Sequence, residues 1–148
     1  GSADGPWVHV DVHTFFSDRP ALPRGWGRGV NIIPLHGDAV QLDFAERLKR
    51  EFDAAMPNAP VTTIVPMTRY PQQANDDDSN AQTEWSRSRG MPGVLVELPV
   101  RSRTHGDCTD DSCWLSDHAP VDTYAEIIAR FCVGHVKSEE RAMPAEIE

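Results

Sequence analysis

Three ionisable side chains alternate along a segment that otherwise has the composition of a β-strand. Residues 7–12 are rich in valine and lead directly into His13. Side chains alternate between the two faces of a strand, so His9, Asp11 and His13 share one face if the strand continues that far. Imidazole nitrogens and carboxylate oxygens are common ligands of zinc and related metals. The spacing therefore indicates either a metal site or a row of structural histidines.

The position of His13 separates it from His9. We predict a strand over residues 7–12, which places His13 at its carboxyl end and His9 near its beginning. Ligands of open α/β sheets gather beyond the carboxyl ends of strands. We therefore expect His13 to be the functional histidine and Asp11 to support a neighbouring ligand. From the strand alone, a hydrogen-bonded structural histidine is the commoner outcome.

Glu97 is the second unusual residue, because it interrupts the apolar run "VLVEL" at residues 94–98. Burying an unpaired carboxylate is costly. Such a glutamate either faces solvent without a role or serves as an acid or base. A ligand-type histidine on one strand and an isolated glutamate on another suit a metal-bound water that is activated by a general base.

The elements that position these residues follow the order β, α, β, β, α. Residues 38–56 predict an amphipathic helix that Asp38 caps, with Gln41 in the capping-box position, and that Pro57 ends. Its apolar stripe consists of Val40, Phe44, Leu48, Phe52 and Ala55. Residues 60–66 and 94–98 predict strands, residues 31–34 a short extended piece, and residues 120–136 a second helix. The fold class expected is α/β, with a mixed sheet flanked by helices.

Length and charge bound the remaining choices. The chain has 148 residues, about one domain, and a net charge of −9, which argues against nucleic acid as the main partner. No apolar run has the length of a membrane span. Gly1 and Ser2 resemble a cloning scar, so we expect residues 1–5 to be a linker, residues 6–137 the domain and residues 138–148 a flexible tail.

Two cysteines lie close together in the polar stretch "HGDCTDDSC". A disulfide between Cys108 and Cys113 would indicate a secreted or periplasmic protein, whereas two free thiols would fit a reducing compartment. A metal site built on His105 and Cys108 is a weaker alternative. His118 and His135 have no partner pattern and are expected at the surface or at a helix end.

The residues described so far resemble the C-terminal half of the carboxypeptidase A-like zinc carboxypeptidases (funnelins). "VDVHTFF" is similar to the segment that carries the family's third zinc ligand, which is His13 here. "TEWSRSRGMPGVLVELPVR" is similar to the turn and strand, through Trp85 and Gly90, that lead to the catalytic glutamate, which is Glu97. "VTTIVPMTRYPQQAN" resembles the segment with a mobile, substrate-closing tyrosine, here Tyr70.

This resemblance implies zinc as the cofactor, a peptide as the substrate and metal-assisted hydrolysis as the reaction. The family's first two zinc ligands form a His-x-x-Glu motif, which this sequence does not contain. Its substrate-binding arginines also precede the His13 segment. We therefore expect the isolated chain to be inactive. It would need a missing N-terminal segment or partner chain, or it would form a homodimer through an exposed sheet edge.

Two alternatives remain open. The chain could be a non-catalytic binding or structural module with a degenerate peptidase fold. The Asp-x-His strand also resembles that of metal-dependent phosphoesterases and amidohydrolases, but those proteins use a longer barrel with further ligands on later strands.

Overall fold

The structure is a computed structural model that describes residues 6–34, 39–66, 88–100 and 121–143. Six elements follow one another in this part of the chain. They are β1 (His9–Phe16), β2 (Asn31–Pro34), α1 (Ala39–Ala55), β3 (Thr63–Ile64), β4 (Gly93–Val100) and α2 (Val121–Ala142).

The four strands form one mixed sheet in the order β1-β4-β2-β3. β1 runs parallel to β4, β2 runs antiparallel to β4, and β3 runs parallel to β2. β4 is therefore an inner strand, and all eight of its residues are buried. Strands that are covered on both faces read as continuous apolar runs, as "GVLVELPV" does apart from its glutamate.

The two faces of β4 pack against different partners. Val94, Val96 and Leu98 belong to the main core, which both helices build. The helices contribute their apolar faces to it, namely Phe44, Ala45, Leu48 and Phe52 from α1 and Tyr124, Ile127 and Ile128 from α2. Leu95 belongs to a smaller cluster on the opposite face, with Ile33, Val65 and Trp26. Among the described residues, both helices thus cover the same face of the sheet.

The α/β class with a mixed sheet and two helices is confirmed, but several element bounds differ from the predictions. β1 and β4 run to Phe16 and Val100, beyond the predicted ends, because the aromatic and β-branched residues there continue the ladder between the two strands. The extended piece at residues 31–34 is a full sheet strand, whereas the strand predicted over residues 60–66 is reduced to Thr63–Ile64.

The helix predictions were right in place, and the predicted end of the second helix was wrong. α2 does not end at residue 136 but continues to Ala142, into the part that was predicted to be a tail. Val40 and Ala55, which were placed in the apolar stripe of α1, are exposed because they lie in its first and last turns, outside the core cluster. The proposed cap Asp38 lies outside the described residues. None of the helices in the described ranges is long and apolar enough to cross a membrane.

His135 is part of the contact between the helices, so its expected surface position was wrong. Its Nδ1 lies 3.0 Å from the Arg47 guanidinium, and its ring meets the Phe44 ring edge-on at 5.3 Å between centroids. Since a guanidinium can only donate, Nδ1 must be the acceptor, and the imidazole must be neutral. Burial, and then the positive charge of Arg47, lower the pKa of His135, although Glu139 and Asp43 oppose this effect.

Stability should therefore fall in acid through His135. Its pKa in the folded chain is below that of the unfolded chain, which is about 6.5, so the unfolded chain binds the extra proton more readily. The contribution is present above the unfolded-state pKa and is lost as the pH falls through the folded-state pKa. Urea unfolding at several pH values should show this decline in the wild type and a weaker decline in His135→Gln. Lys137→Gln, an exposed change on the same helix, should keep the wild-type slope; an equal slope in all three would contradict the assignment.

Candidate metal and acid–base site

His13 and Glu97 are direct neighbours on two parallel strands. They are register partners in the pairing of β1 with β4, and His13 Nδ1 lies 3.9 Å from Glu97 Oε1. The sequence had suggested that both residues lie at strand ends. Instead, both strands continue for three residues beyond them. The pairing of the strands, and not a loop, brings the two side chains together.

The two side chains differ sharply in exposure. Glu97 is 4% exposed, whereas the side chain of His13 is 47% exposed. The glutamate therefore does not face solvent, which excludes the alternative of a solvent-facing residue without a role. An oxygen of a buried carboxylate instead lies beside an imidazole that solvent can reach. This arrangement places a proton acceptor at the floor of an open site, where a polar or metal-bound group could approach from the side of His13.

Asp11 holds the other nitrogen of the same imidazole. His13 Nε2 lies 3.0 Å from Asp11 Oδ1, and the two residues are two positions apart on the same face of β1. An ionised carboxylate can only accept hydrogen bonds, so Nε2 carries the proton and donates it. In the neutral ring, the lone pair of Nδ1 then faces Glu97. A carboxylate that orients a histidine in this way is the usual support of a metal ligand.

Asn31 flanks Glu97 on the other side and was not identified from the sequence. It is the register partner of Glu97 on β2 and is fully buried. Its Oδ1 accepts a hydrogen bond from the Gly27 amide at 2.8 Å, and its Nδ2 donates to the carbonyls of Gly27 and Gly29 at 2.9 and 3.2 Å. The only signal in the sequence was a polar residue between a glycine-rich loop and an apolar strand.

The loop that Asn31 anchors covers one end of this face. It brings Trp26 onto Phe15 in an edge-to-face contact, with 5.3 Å between the ring centroids. Gly29 allows the close approach that the loop requires: a Cβ at this position would lie 2.4 Å from the carbonyl oxygen of Pro60 and 2.9 Å from that of Val61. Backbone oxygens cannot move aside as a flexible side chain can, so a larger residue would push the loop away from the segment before β3.

Several predicted site residues cannot be placed. Tyr70 and Trp85 lie outside the described residues, and so do the cysteine pair Cys108 and Cys113 and the histidine His105. Gly90 is described and has a φ of +66°, a left-handed conformation that glycine adopts without strain and that turns the chain into β4.

The described residues could supply part of a metal site and not a whole one. Across these ranges no three His, Cys, Asp or Glu side chains are grouped as a metal would require. Asp11 binds Nε2, so the metal-facing donor that remains is Nδ1 of His13. A catalytic zinc ion takes three protein ligands and a water. The arrangement therefore fits one ligand, its supporting carboxylate and one adjacent base, with further ligands needed from elsewhere.

Two larger grooves lie away from this site. One, of about 620 Å³, runs between α1 and α2 and is lined by Arg47, Arg130 and His135 among others. The other, of about 500 Å³, lies between the start of α1, the end of α2 and residues 89–92. Neither includes His13 or Glu97. The candidate site is therefore identified by the chemistry of its side chains and not by the size of a cavity.

Replacing Asn31 with alanine should release the loop beside Glu97. The change leaves backbone groups at the half-buried Gly27 and the buried Gly29 without their side-chain partner, which should lower the free energy of unfolding by about 1–3 kcal/mol. Urea denaturation followed by far-ultraviolet circular dichroism measures this loss. Asn58→Ala, in an exposed turn, is the matched control and should change the value by less than about 0.5 kcal/mol. Equal effects of the two substitutions would show that Asn31 does not anchor the loop.

Comparisons with known proteins identify no relative. No protein-family model, no curated protein and no solved structure matches the chain. The chemistry of the site is therefore argued from its own residues and their geometry.

Proposed function

We propose that the chain is the C-terminal part of a zinc carboxypeptidase-like hydrolase that cleaves peptide or related amide bonds. The observation that carries this proposal is the pairing of His13 with Glu97 on adjacent parallel strands. These are the two residues that the sequence resemblance assigns to the metal ligand and to the catalytic base. They lie far apart in the chain, and the pairing of β1 with β4 makes them neighbours.

Each residue of the site has a separate role in this proposal. His13 would hold zinc through Nδ1, and Asp11 would keep that nitrogen free by accepting the Nε2 proton. Bound zinc would polarise the scissile carbonyl and lower the pKa of a water molecule. Glu97 would accept a proton at Oε1 and later return it to the leaving amine. The burial of Glu97 supports this role, because a base that bulk water does not solvate needs little reorganisation during the proton transfer.

The rest of the reaction requires groups that the described residues do not supply. The remaining zinc ligands and the arginines for the substrate's carboxylate belong to a segment or partner chain that the resemblance places before His13. Tyr70 would bind the substrate by a hydrogen bond. We expect no peptide hydrolysis by the chain alone. A Cys108–Cys113 disulfide would place the protein outside the cytoplasm, in the periplasm or secreted.

The second candidate is a non-catalytic binding or structural module. It is favoured because the described residues offer one histidine donor at the site, whereas a catalytic zinc ion takes three protein ligands. In such a module Asp11, His13 and Glu97 would form a structural hydrogen-bonding row. Replacing His13 would then change stability without changing any affinity for metal.

Zinc binding by the purified chain distinguishes the two candidates. The proposal expects weak zinc binding that His13→Ala abolishes and Asp11→Ala weakens by about 10- to 100-fold. Isothermal titration calorimetry with zinc alone, and metal content by plasma mass spectrometry, measure these effects. His9→Ala is the matched control, since it removes a histidine from the same face of the same strand and should leave zinc binding unchanged.

Two results would contradict the proposal. One is zinc binding that is equally strong in the wild type and in His13→Ala. The other is an affinity that falls as much in His9→Ala as in His13→Ala, because this would indicate binding to exposed histidines in general. Circular dichroism of each variant shows whether the fold has been retained.

Glu97→Gln separates the role of a base from that of a ligand. Glutamine has nearly the same shape but cannot take up a proton at neutral pH, so the chain should fold and bind zinc as the wild type does. The same calorimetric titration measures the affinity. If Glu97→Gln lost zinc binding as fully as His13→Ala does, Glu97 would be a ligand and the proposed division of roles would be wrong.

A further inference from the structure

The outer edge of β1 is the edge that faces away from β4. Backbone groups in the middle of the strand point outward along this edge. Within the described ranges, β1 has a strand neighbour on one side only, which is β4. The amide of His9 donates to Pro92 O at 2.9 Å and the amide of Ser17 donates to Val100 O at 3.0 Å. Backbone groups of successive residues point to opposite sides of a strand. The backbone groups of the odd-numbered residues of β1 therefore point towards β4. Those of the even-numbered residues, including Val12, point outward.

The middle of this edge is exposed to solvent. Val12 is 48% exposed, His13 has nearly the same exposure, and Thr14 is also exposed. The two ends of the strand are more covered, since Val10 and Phe16 are half-buried. An exposed valine at the centre of an open edge is the kind of feature that invites pairing with another strand.

The sequence of β1 is complementary to itself in one antiparallel register. If two copies pair with Val12 opposite Val12, Asp11 of each copy lies opposite His13 of the other, and Val10 lies opposite Thr14. Because Val12 directs its backbone groups outward, the two valines form a hydrogen-bonded pair. Asp11 and His13 then form non-hydrogen-bonded pairs, in which the side chains are closest. A carboxylate opposite an imidazole that carries a proton can accept a hydrogen bond from it, as Asp11 does from His13 within one chain, so such cross-strand pairs stabilise a sheet.

We propose that the chain forms a symmetric dimer in which β1 pairs with β1 of a second copy, antiparallel and centred on Val12. The two-fold symmetry gives two Asp11–His13 contacts, one on each side of the Val12 pair. This register pairs residues 9–15 of both strands. A register centred on Val10 would also bring Asp11 near a histidine, but it would pair only residues 9–11. The inference does not depend on the proposed function, because it uses backbone direction, exposure and the hydrogen bonding of Asp11 with His13 and requires no metal.

Sedimentation equilibrium over a concentration series from micromolar to millimolar tests the dimer. The weight-average mass should rise from 16.4 kDa towards twice that value. It should rise no further, because a symmetric pairing occupies the outer β1 edge of both copies. Val12→Pro removes the central outward N–H without removing a hydrogen bond to β4, so it should weaken association by about tenfold or more. Val61→Ser removes an exposed valine elsewhere and should leave association unchanged.

A charge exchange tests the register. Asp11→His alone places two histidines opposite each other, and His13→Asp alone places two aspartates opposite each other, so each should weaken association. The double variant restores opposite partners in exchanged positions and should associate as the wild type does. It also removes the imidazole at position 13, so dimerisation is tested separately from the zinc role of His13. Circular dichroism of each variant checks the fold.

Four results would overturn the proposal. The first three are a monomeric wild type at all concentrations, association that neither Val12→Pro nor the single exchanges weaken, and a double variant that remains as weak as the singles. Growth of the mass beyond that of a dimer would also overturn it, since an open assembly requires a different contact.

Discussion

The parallel pairing of β1 with β4 is the interaction on which the candidate site depends. β4 is covered on both faces, so a polar side chain on this strand can reach solvent only through a neighbour. Glu97 meets this condition because its register partner on β1 is His13, which is half-exposed on a more open strand. A shift of the register by one residue would put the glutamate opposite an aliphatic or a hydroxyl side chain, and would move His13 to the other face of the sheet relative to it. The register therefore determines both the chemistry and the access.

The two faces of the sheet divide stability from chemistry. Both described helices pack on one face, where aromatic and aliphatic side chains form the main core. On the opposite face, the described residues form a small cluster around Leu95 and Trp26, next to the row of Asp11, His13, Glu97 and Asn31. Because these residues are on strands, the ladder fixes their spacing, and a site built on strands is held more tightly than one on loops. Asn31 extends this order into the adjoining loop through its three hydrogen bonds to the backbone.

Periodicity in the sequence predicted the elements better than it predicted their ends or their contacts. The stripe of Phe44, Leu48 and Phe52 located α1, because a helix in a small domain must bury its apolar face. The strand ends were wrong because residues 14–16 were read as a transition to loop, although pairing with β4 keeps them extended. His135 was missed because it contacts Arg47 and Phe44, which are distant in the chain. The hydrogen bonds of Asn31 to Gly27 and Gly29 are local, but its place beside Glu97 comes from the pairing of β2 with β4. No local pattern carries that information.

Side chains and backbone groups both alternate in direction along β1. These two alternations explain how one strand could carry both the candidate site and the proposed interface. The odd-numbered side chains lie on the face with Glu97, while the backbone groups of the same residues bond to β4. The even-numbered residues direct their backbone groups to the open edge, and Val10 directs its side chain into the helix-covered core. The hydrogen bonds of a second strand would therefore leave those of β4 intact and would not displace Glu97. A partner strand would, however, approach the exposed side of His13, so whatever pairs with β1 would control access to the site. This holds whether the partner strand is a second copy or a segment that would supply the remaining ligands of the proposed metal site.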